Sequence, residues 1–255
     1  MSDDATRASG ILTELPLAIS FLTILPVIDQ HPASDDTVAA SFAWFPIVGF
    51  LIGLALAGED WLLAHFFAQV IRSVLIIVSL TVVTGAVHLD GLADTADALG
   101  GGRDRERALD ILRDSRVGTF GASAIFFDLT LKILALSTLA GHRRYSALIV
   151  APMLARWAML LVATGLPYLR SSGSGATLLS GEISSTRTAV VAVFTLAVML
   201  MLGALRTTAL ATAAAIAIVF AMRLFYRRWL GGVTGDSIGA CGELVEIAVL
   251  VTIAS

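Results

Sequence analysis

Three aspartates stand at positions 90, 94 and 97 in the run His88-Leu89-Asp90-Gly91-Leu92-Ala93-Asp94-Thr95-Ala96-Asp97. On a helix, the spacings i, i+4 and i+7 fall on one face. Three carboxylates on one face repel each other unless a cation sits among them. Oxygen-only ligands suit Mg²⁺, which takes carboxylates together with substrate phosphate. Asp90, Asp94 and Asp97 are therefore candidate metal ligands. The alternative is a solvated acidic helix end. The residues between the acids are apolar or small, and the run continues an apolar stretch. Ionisable groups at membrane depth are costly and usually functional, which favours a metal.

Gly100, Gly101 and Gly102 follow. They break a helix and allow a tight turn or a close approach of backbone to ligand. No Gly-Lys-Ser/Thr comes after them, so this is not a P-loop. Arg103, Asp104, Arg105 and Glu106 alternate in sign, as a solvated helix face does. Then comes Asp110-Ile111-Leu112-Arg113-Asp114-Ser115-Arg116-Val117-Gly118. Asp110 and Asp114 are again one turn apart, and Arg113 and Arg116 flank Asp114. Acids, glycine turn and Asp-Ser-Arg cluster can fold back on one another, with metal and arginines clamping a diphosphate. Phosphoryl transfer asks for that: charge neutralisation and in-line positioning, with little covalent help from protein.

The elements that hold this segment are apolar. Of the 255 residues, 57% are hydrophobic and 15% charged, with mean hydropathy +0.87. A typical soluble domain is about 25% charged. A soluble enzyme and a disordered chain are both excluded. A net charge of −3 excludes a nucleic-acid binder driven by bulk charge. An integral membrane protein remains. Five arginines and seven acids lie between 88 and 118, about a third of all the charge. Lys132 is the sole lysine, and arginine fits phosphate bidentately where lysine does not.

A bilayer core needs about 20 apolar residues per helix. Seven stretches qualify, at about 38–57, 69–87, 119–139, 145–166, 187–205, 207–225 and 237–253. A weaker one, 11–28, carries Glu14, Pro16 and Pro26 and reads as an interfacial or re-entrant helix. With the N-terminus inside, inner loops hold nine arginines (Arg7, Arg103, Arg105, Arg107, Arg113, Arg116, Arg170, Arg227 and Arg228). Outer loops hold Arg143, Arg144 and Arg206. That bias favours a cytoplasmic N-terminus and an odd number of spans. The Ser/Gly-rich 171–180 reads as a flexible connector. One cysteine, Cys241, excludes an internal disulfide or a Cys-rich metal site. No cleaved signal is expected. Gly49, Gly53 and Ala57 have small-xxx-small spacing and mark a packing face. No internal repeat is found, which lowers the prior for a transporter.

The run 88–102 followed by Asp114-Ser115-Arg116-Val117-Gly118 resembles the cobalamin synthase family, the adenosylcobinamide-GDP ribazoletransferases. Phe21-Leu22-Thr23-Ile24-Leu25-Pro26, Trp44-Phe45-Pro46-Ile47-Val48-Gly49, and Gly231-Gly232-Val233-Thr234-Gly235-Asp236 with Gly239-Ala240 look like further family segments. Ala98 departs from the glycine often found after the third aspartate. The resemblance spans nearly the whole chain. It implies one all-α domain over 1–255, a polytopic helical bundle of the bacterial inner membrane that needs Mg²⁺, with segment 88–118 facing the cytoplasm. It further implies that adenosylcobinamide-GDP is joined to α-ribazole or its 5′-phosphate. A ribose hydroxyl would attack the phosphorus nearer cobinamide, and GMP would leave. Its partners are then these substrates and the lipid bilayer, not nucleic acid. A homo-oligomer, or association with other enzymes of cobalamin synthesis, is a further expectation. The metal logic is similar to that of CDP-alcohol phosphotransferases, which stay a rival reading. A transporter is a weaker one.

The remaining roles divide as follows. Asp114 is a further ligand or the general base for the ribose hydroxyl, and Asp97 is the other catalytic candidate. Arg116 is the first phosphate clamp. Arg113 is the second, with Asp110 as its alternative partner. His88 positions a ligand or makes a plain hydrogen bond at a helix end. Arg156 lies inside a span and either pairs with Asp128 or meets substrate phosphate. Asp128 and Lys132 are i, i+4 and can neutralise each other. Asp236 reads as an N-cap, and the resemblance adds a substrate-binding role for Thr234 and Asp236. At least one of Glu243 and Glu246 is expected to face a polar cavity. The four tryptophans read as packing or interfacial anchors.

Overall fold

In the computed structural model, the described residues are 10–27, 35–102, 104–114, 116–169 and 185–255. Arg7, Arg103, Ser115, Arg170 and the 171–180 connector lie outside them. The elements are helices throughout. They are α1 (Ile11–Leu22), α2 (Asp35–Ser41) with a 3₁₀ turn (Phe42–Trp44), α3 (Phe45–Leu63), α4 (Gln69–Val83), α5 (Val87–Gly101) and α6 (Arg105–Ile111). Then follow α7 (Thr119–Thr138), α8 (Gly141–Ala163), α9 (Ser185–Leu202), α10 (Leu205–Trp229) and α11 (Gly235–Ala254).

Helix α8 is the axis of the bundle. Its apolar stretch is 89% buried, against 28% for α7 and 22% for α10. A helix apolar all round belongs in the middle of such a bundle. Helices α7 and α10 instead turn Phe126, Phe127 and Phe220 outward, onto the surface that lipid covers. Helix α3 packs on α8 through two glycines. A Cβ at Gly53 would sit 2.6 Å from the Ile149 Cα, and one at Gly49 would sit 2.8 Å from the Met153 Cα. The small-residue face is thus a packing seam.

Among the described residues, five helical segments are long and apolar enough to cross a bilayer: Asp36–Leu63, Thr119–Thr138, Gly141–Ala163, Leu205–Trp229 and Gly235–Ala254. A sixth exists only if α4 and α5 count as one broken span, since they meet at 89°. Seven were expected from the apolar stretches. The 69–87 stretch stops at Val83 because Gly85 and Ala86 take left-handed backbone, at φ 61° and 56°. The acid run therefore does not prolong α4. The 187–205 stretch forms α9, whose apolar part, Thr186–Leu202, is short for a span. Helix α1, with 12 residues, reaches about 18 Å at 1.5 Å per residue, too short for a hydrocarbon core of about 30 Å.

Buried charge ties distant elements together. Asp60, fully buried at the end of α3, accepts from Arg144 Nε and Nη2 (2.9 and 2.7 Å) and from Arg72 Nη1 (3.0 Å). Arg144 also donates to the Leu136 carbonyl at 2.6 Å, so α3, α4, α7 and α8 share one knot. Glu14, also fully buried, accepts from Trp44 Nε1 (2.9 Å) and Arg187 Nη1 (2.6 Å), which fastens α1 to the 3₁₀ turn and α9. Removing one partner of a buried pair strands the other charge and costs about 3–5 kcal/mol. Asp60→Ala is therefore expected to lower the unfolding free energy in detergent by about that amount. Arg206→Ala, at an exposed site, is expected to stay within about 0.5 kcal/mol of the parent.

Candidate active site

The α4–α5 corner sets the acid face. Past Ala86, whose carbonyl accepts from Asp90 N at 2.8 Å, α5 leaves α4 nearly at a right angle. It then lies along the N-terminal half of α11, and two glycines allow this. A Cβ at Gly91 would sit 2.7 Å from the Asp236 carbonyl oxygen and 2.9 Å from its Cα. One at Gly239 would sit 3.1 Å from the His88 Cα. The start of the acid run and the start of α11 are thus in backbone contact. Asp90 is exposed, Asp94 and Asp97 are half-buried, and His88 is buried.

Thr234, not Asp236, caps α11. Its Oγ1 accepts from Ser237 N (3.2 Å), and Ser237 Oγ accepts from Thr234 N (2.8 Å), a reciprocal capping box. Threonine holds the cap because it is two residues earlier, where the backbone is still extended. Asp236 falls in the first turn, where a carboxylate suits the positive end of the helix, and its Oδ2 lies 3.4 Å from Thr234 Oγ1. The approach to α11 is held by Pro167–Leu169: Val233 N donates to the Pro167 carbonyl and Leu169 N to the Val233 carbonyl, each at 2.9 Å.

Asp97 has a structural task beside any chemical one. Its Oδ2 accepts from Gly118 N at 2.6 Å and its Oδ1 from Gly121 N at 2.8 Å. These are N-terminal amides of α7, which the helix itself leaves without partners. A carboxylate on α5 therefore caps α7 from outside. Glycine at both places lets the carboxylate sit there, because a Cβ at either would push it out of position. The glycine triplet also serves packing. Gly100 abuts the Phe120 ring, and a Cβ at Gly102 would sit 2.8 Å from Ala108, so α6 folds tightly under α5. Asp104 caps α6 by accepting from Arg107 N (2.8 Å), and Arg105 Nε donates to the Leu230 carbonyl (2.6 Å), joining α6 to the end of α10.

The two candidate clamps differ. Arg113 lies 3.8 Å from Asp110, a loose exposed pair. Arg116 forks onto Asp114, Nε to Oδ1 at 2.9 Å and Nη2 to Oδ2 at 2.6 Å, and its backbone N adds a bond at 3.1 Å. These side-chain and then backbone hydrogen bonds hold the Asp114 carboxyl down at about 2, and raise the Arg116 guanidinium. While so held, Asp114 is a weak proton acceptor. Among the described residues no three His, Cys, Asp or Glu side chains stand close enough to form a complete metal cage. Mg²⁺ does not need one: one or two carboxylates suffice, with water and substrate phosphate filling the rest. Asp90 and Asp94, one turn apart on α5, fit that donor set.

A second polar cluster lies deeper, and its centre was not foreseen. Lys132 on α7 lies 3.1 Å from Asp128 Oδ2 and 2.8 Å from Glu246 Oε2, and it also binds Glu243. Arg156 donates from Nη1 to Glu246 Oε1 at 2.8 Å. Its partner is on α11, and is neither of the two expected for it, Asp128 or substrate phosphate, because α11 packs against both α8 and α7. The visible signal was the pair Glu243 and Glu246 inside an apolar span. These side chains line a small cavity with Thr81, Thr84 and Leu89.

Comparison with known proteins agrees with the early resemblance. Residues 14–254 match the family described as Cobalamin-5-phosphate synthase. The chain is 39% identical over 240 residues to the adenosylcobinamide-GDP ribazoletransferase of Syntrophobacter fumaroxidans, covering 91% of this chain and 94% of that protein. It is 37% identical to the protein of the same name in Desulforamulus reducens (94% and 95% covered) and 38% to that of Sinorhizobium medicae (91% and 92%). No solved structure matches.

Two outcomes follow from this geometry. A carboxyl lowered in the folded state adds stability above its unfolded value and loses it as pH falls through the folded value. Carbon-13 NMR of the Asp114 carboxylate is thus expected to titrate near 2 in the parent and higher in Arg116→Ala, which loses the side-chain bonds and keeps the backbone one. Gly121→Ala is expected to displace Asp97 and cut activity at least tenfold. Gly58→Ala, where a Cβ meets nothing, is expected to keep it.

Proposed function

The chain belongs to the Cobalamin-5-phosphate synthase family, and from that premise we propose the reaction and the residues that serve it. It joins adenosylcobinamide-GDP to α-ribazole or its 5′-phosphate and releases GMP. The observation that carries the site is the meeting of three segments at one rim: the acid face of α5, the start of α7 under Asp97, and the start of α11 under Thr234. Asp90 and Asp94 hold Mg²⁺ together with the diphosphate. When bound, the ion supplies charge neutralisation for the phosphates and the leaving GMP.

The chain's own groups do the rest. Asp97 holds α5 against α7, so that the two ligands keep their place. The first turn of α11, the positive end of that helix, faces the same rim and favours phosphate oxygens. Arg116, exposed and flexible, exchanges Asp114 for a phosphate oxygen. That exchange removes the guanidinium from Asp114 and strengthens it as a base at the moment substrate is present. The ribose oxygen then bonds to phosphorus, the bridging bond to GMP breaks, and the hydroxyl proton passes to Asp114. Arg113 adds charge to the clamp. The inner-membrane location is what family membership implies, and the arginine bias supports the cytoplasmic placement of 88–118. Arg156 is too deep and too firmly paired for substrate phosphate, and His88 acts by packing against α11.

The test is GMP release by purified protein from adenosylcobinamide-GDP plus α-ribazole, with CDP-diacylglycerol plus alcohols as the comparison. Activity is expected only with the first pair, is lost on chelation, and returns with Mg²⁺. Asp94→Asn is expected to lower turnover by about 10²-fold or more while the protein stays folded in the membrane. Full turnover in that variant contradicts the ligand assignment.

A further inference from the structure

The deep cluster contains more acid than base. Lys132 and Arg156 face Asp128, Glu243 and Glu246, and all five are at most 7% exposed. Helix α4 adds Thr81 and Thr84, whose hydroxyls donate to the Ile77 and Leu80 carbonyls and carry no charge. Helix α5 adds His88, within Coulombic reach of Arg156, Lys132 and Glu246. Burial first, and then two cations against one acid, oppose a third positive charge on that imidazole. The cluster thus stands at two positive charges against three carboxylates. It lies on α7 and α11 seven residues past Gly121 and Asp236, about 10 Å below the rim at 1.5 Å per residue.

The surplus falls on Asp128. Arg156 is committed to Glu246, and Lys132 is nearer Glu246 than Asp128. Both Asp128 oxygens are buried without a well-aligned hydrogen bond, and the one cation beside them, Lys132 at 3.1 Å from Oδ2, is shared with Glu243 and Glu246. Asp128 lines a cavity of about 10 Å³, close to the space of one water. A buried carboxylate that shares its only cation with two other carboxylates takes up a positive charge when it can. We infer that this cluster is a proton-binding site: Asp128 carries the proton, and the cluster is balanced at two charges of each sign. The acid form makes Asp128 a donor toward the cavity, beside the carboxylates of Glu243 and Glu246. The proton keeps Lys132 centred between α7 and α11, the two helices whose ends form the rim. Its departure leaves a net negative charge between them and loosens their packing.

Infrared spectroscopy of the full-length protein in lipid reads this directly. At neutral pH the parent is expected to show a protonated-carboxylic-acid carbonyl band that shifts with carboxyl-¹³C aspartate and not with carboxyl-¹³C glutamate. The band is expected to be absent in Asp128→Asn, which mimics the neutral acid and keeps the parent's thermal stability. As pH rises the band disappears and the parent's melting temperature falls, while that of Asp128→Asn does not follow. Replacing sodium with N-methylglucamine leaves the band unchanged. Absence of an aspartate band at neutral pH overturns the inference, wherever the missing charge is found. So does an acid band that moves with labelled glutamate, or one that appears only when sodium is withdrawn. The labelling result stands even if Asp128→Asn fails to fold.

Discussion

One carboxylate holds the rim together. Asp97 takes two amides of α7 that no residue within that helix can satisfy, and does so from a helix 21 residues earlier in sequence. Two short charge-assisted bonds at a helix start are strong and directional. They leave α5 one place to lie. Gly91 and Gly239 then let α11 close on its other side, and Arg105 reaches from α6 to the Leu230 carbonyl at the end of α10. The acid face is thus clamped at both flanks before any ligand arrives. Asp90 and Asp94 need no cage of their own, because the helix that carries them is fixed.

Elsewhere, lipid dictates how charge is arranged. A polar group in hydrocarbon must find its partner within the protein. Asp60 with Arg72 and Arg144, Glu14 with Arg187 and Trp44, and the Lys132 cluster each obey this, and each joins elements far apart in sequence. This also refines the arginine asymmetry. Of the three arginines counted in outer loops, Arg144 is buried on Asp60 and Arg143 donates to the Ile253 carbonyl. They are helix-end fastenings more than free loop charge, as Arg105 on the Leu230 carbonyl is on the other side.

Much of the fold was legible in residue type and period. Apolar stretches located the helices, and Gly49 and Gly53 announced a seam. What was hidden depended on single backbone states or distant partners. The 69–87 run is apolar through its end, so nothing periodic marks the left-handed pair Gly85 and Ala86 that turns α5 away. The spacing of Asp90, Asp94 and Asp97 puts three carboxylates on one face but cannot show that the third caps another helix. For Arg156 the sequence leaves Asp128 and substrate phosphate open, and its partner Glu246 lies on another helix, where spacing along one helix gives no signal. Asp236 lost the cap to Thr234 because a helix start can shift by two residues without changing the hydrophobic pattern.

The central claim is that the starts of α7 and α11 and the acid face of α5 make one diphosphate site. A cryo-EM map of the protein in lipid with Mg²⁺ and a non-reacting GDP-linked cobinamide analogue tests it most directly. Diphosphate density is expected over Asp90 and Asp94, against the first turn of α11, with Arg116 turned from Asp114 toward it. Density away from α5, such as in the apolar cavity among Trp157, Thr195 and Ile216, would contradict it.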